Sequence, residues 1–342
     1  MILFLAAFMK KGYGVSVVID SLCKEYSRLG IEVIVGCLET DGFFEETKVV
    51  ELKPVFESVN AFAAQAGCKV IVSHTTPFFE LLPQLSKNYQ VWSWEHGDPD
   101  SEFFIWDQLE RQAIINRKQR EIYHQLHGVI AISEFIKDEI RQPAAHVIYN
   151  GCDHIAKPET RSSESSTIRV GTLVRLGAGE TTYKGRPILS QLYSKLAKLD
   201  APLELHIMGR GTPEDKKALE SQGIVVHLNS TDEERLEYLS NLDIFVSTSL
   251  WEGFNLPVVE AQASGTVGLA FDVGAHPETT PFITRGVDDM VSLIEHYCGH
   301  PELLQKHSLQ CERWIRDRFC WEKTAQKSAK LFLGSDFLIA VK

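Results

Sequence analysis

Apolar residues along this chain follow two alternating patterns. Short, dense runs rich in Val, Ile and Leu are separated by longer stretches in which apolar positions return every third or fourth residue. The dense runs predict buried strands at 2–7, 31–37, 69–73, 90–94, 128–132 and 146–149, and the periodic stretches predict helices such as 16–29 and a long one at 103–126. After Asp153 the periodicity stops. Residues 157–167, KPETRSSESST, are polar and read as a linker. The pattern then restarts, with strands expected at 169–174, 203–208, 224–228, 243–248 and 266–271, and helices at 287–297, 302–315 and 321–332. Strands alternating with helices in this way build parallel sheets from βα units. The expected class is α/β, with two Rossmann-like domains and a last helix that crosses back to the first domain.

Length fits that reading. The 342 residues exceed one ordinary core and suit two domains of roughly 150 residues each, here 1–156 and 157–316, with 317–342 as crossover helix and tail. Two such domains offer a cleft between their sheets. Hydrophobic residues at 44% and charged residues at 24% exclude disordered and fibrous classes. A net charge of −11 argues against a general nucleic-acid binder, which needs a basic footprint. The seven cysteines contain no CxxC pair, so they are expected to be buried thiols of a cytoplasmic protein, without disulfide framework or zinc site. The opening Met1–Phe8 run lacks a basic flank and a cleavage site and reads as a first strand, and no apolar stretch approaches the ~20 residues needed to span a bilayer. Arg111, Arg117, Lys118 and Arg120 share one predicted helix, read as a solvated face rather than a membrane contact.

The chemistry concentrates in residues 249–265, SLWEGFNLPVVEAQASG, which follow a predicted strand. Pro257 suits the first position of a helix, because its missing N–H costs no intrahelical bond there. Ahead of it the amides of Phe254, Asn255 and Leu256, with Gly253 on the same loop, lie at the positive end of a helix dipole and suit a phosphate without a metal ion. Glu252 precedes the helix and Glu260 lies within it, so two carboxylates flank one anion site, one for a sugar and one for a ribose.

With its two glutamates separated by seven residues within EGFNLPVVEA, this stretch resembles glycosyltransferase family 4, the group 1 transferases of GT-B fold. AISEF at 131–135, IYNGCD at 148–153, LHIMGRG at 205–211 and FCWE at 319–322 extend the resemblance over nearly the whole chain. It implies a retaining, metal-independent transfer of sugar from a nucleotide diphosphate to an acceptor, with Glu252 on the donor sugar and Glu260 on the ribose. It also assigns two cations to the leaving diphosphate. Here these are Arg175, which follows a strand, and Lys184, which opens a helix; residues 176–183 separate them more widely than the family pattern does.

Other residues follow from strand-end positions. Gly12 and Gly14, in the turn after the first strand, suit close backbone approach to a donor diphosphate or acceptor. His96, in WEHGD after a strand end, stands where the resemblance implies a residue near the transferred sugar, and His74, at another strand end, is an acceptor-side candidate. The nucleotide base is placed near 209–211, starting with Gly209, and near 228–230. The loop Gly274-Ala275-His276-Pro277-Glu278 either closes over the donor or is a simple turn. Asp98-Pro99-Asp100 imitates a metal-binding DxD but stands in the wrong context. No metal and no cofactor are expected. The co-substrate is a UDP-, GDP- or dTDP-linked sugar, and the acceptor is a sugar, a lipid-linked species or a small metabolite. Alternatives are a nucleotide-sugar epimerase, an inverting transferase with His96 as base, and a non-catalytic sugar-nucleotide-binding subunit.

Overall fold

Both halves of the chain fold as parallel sheets covered by helices. The structure, a computed structural model, describes residues 1–104, 106–156, 167–176 and 182–334. The predicted linker at 157–167 lies outside them except for Thr167. The chain divides into two units: the first comprises 1–151 and 319–342, the second 152–318.

In the first unit the strands are β1 (Ile2–Met9), β2 (Val33–Thr40), β3 (Val49–Glu51), β4 (Val70–Ser73), β5 (Gln90–Glu95), β6 (Gly128–Ala131) and β7 (His146–Val147). They pair in the order β3-β2-β1-β4-β5-β6-β7, every pair parallel. The register sets Ile2 beside Val33 on one side and Val70 on the other. Strands covered on both faces need continuous apolar runs rather than alternation, which is why VIVS of β4 is buried throughout.

The second unit repeats the plan with β8 (Ile168–Leu173), β9 (Leu203–Gly209), β10 (Val225–Leu228), β11 (Ile244–Ser247), β12 (Val267–Phe271) and β13 (Phe282–Thr284), in the order β10-β9-β8-β11-β12-β13. Its core joins Val170, Leu192, Ile207, Val246 and Leu269 from sheet and helix to Met290, Ile294 and Tyr297 of the helix Val287–Gly299. In both units the strand order reverses beside the first strand, between β1 and β4 and between β8 and β11. Ligands of open α/β sheets bind at the carboxyl ends of strands at such a switch point.

The last helix, Trp321–Leu333, belongs to the first unit, as the sequence predicts. Trp321 is 2% exposed and packs so closely on Gly151 that a Cβ there would collide with its backbone and ring. Tyr26, on the helix Gly14–Arg28, meets Ser328 hydroxyl to hydroxyl at 2.5 Å, and Thr324 Oγ1 donates to the Tyr149 carbonyl at 2.6 Å.

Two expectations are corrected. The stretch 103–126 is not one helix: a 3₁₀ turn at Ser101–Phe103 precedes the α-helix Gln108–Arg117, which passes into a π-helical turn at Lys118–Ile122 and a 3₁₀ turn at Tyr123–Gln125. The helix Gln108–Arg117 buries none of its residues, so no apolar stripe holds it straight. The wider turn carries Lys118 inward to Glu95 and Asp98. Lys118 is therefore buried and paired, not part of a solvated face. β3 and β13, each three residues long, were not anticipated because such short edge strands show no period.

No described helix is long and apolar enough to cross a membrane. Cys23, Cys37, Cys68 and Cys311 are buried thiols without disulfides. Truncating Trp321 to alanine is expected to cost about 3–5 kcal/mol, the usual range for a buried aromatic, and to appear as a lower denaturant midpoint for the first unit.

Candidate active site

The segment after β11 leads into the helix Leu256–Ala263. Asn255 is its N-cap, in the left-handed conformation at φ 59°, and Pro257 is its second residue, one place beyond the first helical position expected for it. Phe254, 3% exposed, anchors the loop, and the side chain of Trp251 packs edge-on to Tyr183 at 6.0 Å. The amides of Phe254, Asn255 and Leu256 thus sit where the helix begins, at the positive end of its dipole.

Glu252 is 7% exposed. Its Oε1 accepts from Lys184 Nζ at 2.9 Å and from Ser249 Oγ at 2.8 Å. Lys184 reaches it because the turn Thr182–Lys184 is stitched to the 248–250 loop. Leu250 N donates to the Tyr183 carbonyl at 2.6 Å, and Thr248 Oγ1 donates to the Gly185 carbonyl at 3.1 Å. Gly185, at φ 65°, caps the helix Arg186–Leu196, and a Cβ on it would collide with the Thr248 carbonyl, so only glycine allows this approach. Residues 177–181, within the stretch that separates Lys184 from Arg175, lie outside the described residues.

Arg175 is exposed, just past β8. Its flanking residues fix the backbone there: Val174 N donates to Met208 O at 3.0 Å and Leu176 N to Arg210 O at 2.7 Å. Gly209 has a packing role in this arrangement, because a Cβ would strike the Val174 carbonyl. Beside it Asn229 joins the two segments singled out for the base. Asn229 N donates to Gly209 O at 2.9 Å, its Nδ2 donates to Gly211 O at 3.1 Å, and its Oδ1 accepts from Gly211 N at 3.2 Å.

Glu260, 3% exposed, is held by two residues that sequence reading missed. His154 Nε2 lies 3.1 Å from Oε1, and an Arg235 guanidinium nitrogen pairs with Oε2. Burial pushes the Glu260 carboxyl up, but Arg235 and then His154 outweigh it, and the net shift is below the usual 4.5. Arg235 stands one turn into the helix Asp232–Asn241, whose start is fixed by a capping box between Thr231 and Glu234. The His154 segment is clamped by Arg316, which donates to the carbonyls of Ile155 at 3.2 Å, Ala156 at 3.1 Å and Ala263 at 2.6 Å. Since Ala263 ends the Glu260 helix, one guanidinium ties the His154 segment to the helix that carries the carboxylate. These partners are 25 and 106 residues away from Glu260, and no local spacing signals them.

In the first unit, His74 and His96 follow adjacent strands, β4 and β5, and their rings meet at 3.0 Å, Nδ1 to Nε2. His74 is 4% exposed, stacked on Trp94 at 5.4 Å. Burial, and then its neighbour His96, hold His74 well below 6.5. Burial, followed by the Lys118 ammonium, brings His96 down to about 3 against a smaller opposing pull from Asp98. Lys118 bridges Glu95 and Asp98, on either side of His96-Gly97, and so staples the turn that carries His96. Asp98 is engaged by this cation, and Asp100 caps the following turn by accepting from Glu102 N at 2.9 Å. Gly12, at φ 76°, forms the turn after β1, and Gly14 opens the next helix.

Comparison with known proteins bears on this arrangement. Residues 13–155 match the model of Glycosyltransferase Family 4, and residues 171–296 match that of Glycosyl transferases group 1. The MMP alpha-(1->4)-mannosyltransferase of Mycolicibacterium hassiacum is 26% identical over 47% of this chain and 42% of its own length, so the match spans less than half of that relative. Among solved structures, sucrose-phosphate synthase from Thermosynechococcus elongatus is similar over 100% of this chain and 99% of its own, with a TM-score of 0.79 and 16% identity. HepE of Anabaena, solved with UDP and glucose, is similar over 96% and 98%, with 0.75 and 19%. A glycosyltransferase from Rickettsia africae is similar over 98% of both chains, with 0.74 and 16%. At these identities the structures speak for the fold, the GT-B fold.

Because Arg235 keeps the Glu260 carboxyl below 4.5, the stabilisation is present above that pH and is lost as pH falls through the folded value. Arg235→Leu is expected to raise the Glu260 pKa, read by carboxyl carbon NMR, and to cost up to about 3 kcal/mol at neutral pH, the lower end for a broken buried pair because Arg235 is partly solvated. An unmoved carboxyl resonance would show that the pair does not form.

Proposed function

The chain belongs to the group 1 glycosyltransferases of family 4, and from that premise we propose that its second unit binds a nucleotide diphosphate sugar and gives up the sugar, with retention, to an acceptor hydroxyl. The observation that carries this reading is the pair of buried carboxylates, Glu252 and Glu260, on either side of one helix N-terminus. Each is already held in place by a cation on the same unit.

The diphosphate rests on the amides of Phe254, Asn255 and Leu256, with Lys184 and Arg175 offsetting its charge as it leaves. Glu252 accepts hydrogen bonds from the donor sugar, and Glu260 from the ribose. A carboxylate has about four acceptor positions, so Glu260 can keep Arg235 and His154 while receiving ribose hydroxyls. On the first unit, the pair His74 and His96 serves the acceptor, and Gly12 and Gly14 keep the close backbone approach that suits a donor diphosphate.

In the transfer, the bond from C1 to the diphosphate oxygen breaks and the bond from C1 to the acceptor oxygen forms on the same face. The acceptor's proton passes to the departing phosphate oxygen. This route needs neither a metal ion nor a protein base. His96 is poorly suited to the inverting alternative, because a group held near pKa 3 draws protons weakly from a hydroxyl at neutral pH. As a neutral ring it suits hydrogen bonding to a sugar hydroxyl.

The UDP and glucose bound to HepE make UDP-glucose the first donor to test, followed by GDP- and dTDP-linked sugars. Cleavage of the preferred donor is expected to persist in EDTA, and Lys184→Ala is expected to lower kcat about 100-fold or more, as loss of one charge-stabilising donor does elsewhere. NMR at the anomeric carbon of the product should show the donor's configuration; inversion or EDTA sensitivity would overturn the proposal.

A further inference from the structure

Asn255 occupies a left-handed backbone position that glycine adopts at no steric cost and other residues rarely adopt. Its side chain supplies the compensation. Oδ1 accepts from Val258 N at 3.4 Å, capping the helix, while Nδ2 donates to Ser247 Oγ at 2.9 Å and to His276 Nε2 at 2.8 Å. His276 is fully buried, and its Nδ1 faces the Phe271 carbonyl at 2.9 Å. A carbonyl oxygen only accepts, so the proton of the neutral ring resides on Nδ1 and Nε2 is a bare acceptor. Only the NH₂ side of Asn255 can face it, which leaves Oδ1 for the helix. The loop that carries His276 also grips Glu252: Ala275 N donates to the Glu252 carbonyl at 2.9 Å, and a Cβ on Gly274 would collide with the Glu252 backbone.

We propose that His276 is a positioning residue for donor binding: its neutral Nδ1–H tautomer locks the Asn255 amide, and through that left-handed cap it aims the 254–256 amides at the diphosphate. The inference rests on the donor reading above and assigns regulation by pH to that same site. A proton on Nε2 would set N–H against N–H and release the cap. Burial opposes that proton, the Glu252 carboxylate and the Phe271 carbonyl favour it, and the Lys184 ammonium opposes it; the Ser247 hydroxyl, 3.3 Å from Nε2, can turn to suit either form. Burial prevails and holds His276 below 6.5, so the neutral ring and the cap are present above that pH and are lost as pH falls through the folded value.

The test titrates UDP and GDP calorimetrically against the full chain as wild type, His276→Leu and His276→Gln, with circular dichroism as a check on folding, and measures donor KM and kcat for each. His276→Leu is expected to weaken binding of the preferred nucleotide about tenfold and raise KM more than it lowers kcat. His276→Gln, whose amide oxygen can accept where Nε2 did, is expected to restore most of the affinity. As pH falls from neutral through the folded value of His276, the wild type should lose more affinity than the Gln variant, a comparison that cancels protonation of the nucleotide itself. A folded Leu variant that binds like wild type overturns this inference alone. A wild type that binds neither nucleotide overturns the donor reading and this inference with it. Should the Leu variant fail to fold, ¹⁵N shifts of the wild-type His276 ring and the Gln variant's pH profile decide: an Nε2–H tautomer, or a profile matching wild type, overturns the inference.

Discussion

Burying a carboxylate costs several kcal/mol unless charge and hydrogen bonds return what water supplied, and the second unit buries two within one loop and helix. Much of the local architecture answers that demand. Gly185 lacks a side chain so that Lys184 can reach Glu252. Thr231 and Glu234 fix the start of a helix whose next turn delivers Arg235 to Glu260. Arg316 binds the chain on either side of His154's contact. A site for a polyhydroxylated, doubly phosphorylated ligand requires such fixed acceptors, since each must already be aimed when the sugar and ribose hydroxyls arrive.

How much of this was legible follows from the range over which each signal acts. Buried parallel strands announce themselves as apolar runs, so β1, β4, β5, β8, β9 and β12 stand within a few residues of where the pattern puts them. The edges β3 and β13 carry three residues each and leave no period to detect. The 252–260 motif was readable because its parts are neighbours in sequence: a glutamate, a loop, a proline and a second glutamate one helix away. His154, Arg235 and Arg316 were not, because what selects them is proximity created by the fold. Lys118 was misread for a related reason. It was grouped with Arg111, Arg117 and Arg120 as charges on the solvated face of one helix, and a π-helical turn, which no amphipathic pattern encodes, swung it inside.

The two units solve opposite electrostatic problems at their strand ends. The second assembles charges, carboxylates with cations, where a diphosphate and hydroxyls would be gripped. The first buries two imidazoles against each other and beside an ammonium, so that both stay neutral. The carboxylates of Glu95 and Asp98 are committed to Lys118, and the result is a turn whose shape is held by charge while the ring it presents, His96, carries none. Neutral donors and acceptors suit recognition of hydroxyl groups, where a full charge would bring a desolvation cost without a matching partner.

That division bears on how the proposed transfer, which uses no protein base, would work. A group that removes a proton from a hydroxyl near neutral pH needs a free lone pair and appreciable basicity. His96, held near 3, has too little basicity. The departing diphosphate, by contrast, gains negative charge at the moment the acceptor loses its proton, and it does so beside that acceptor if both share one face of the sugar. On the proposed route, amides and cations holding the diphosphate would act on proton transfer as well as on departure, since they would fix where the accepting oxygen lies. Loosening the cap at Asn255 would then disturb grip and proton acceptance together, even though neither Asn255 nor His276 exchanges a proton with the acceptor.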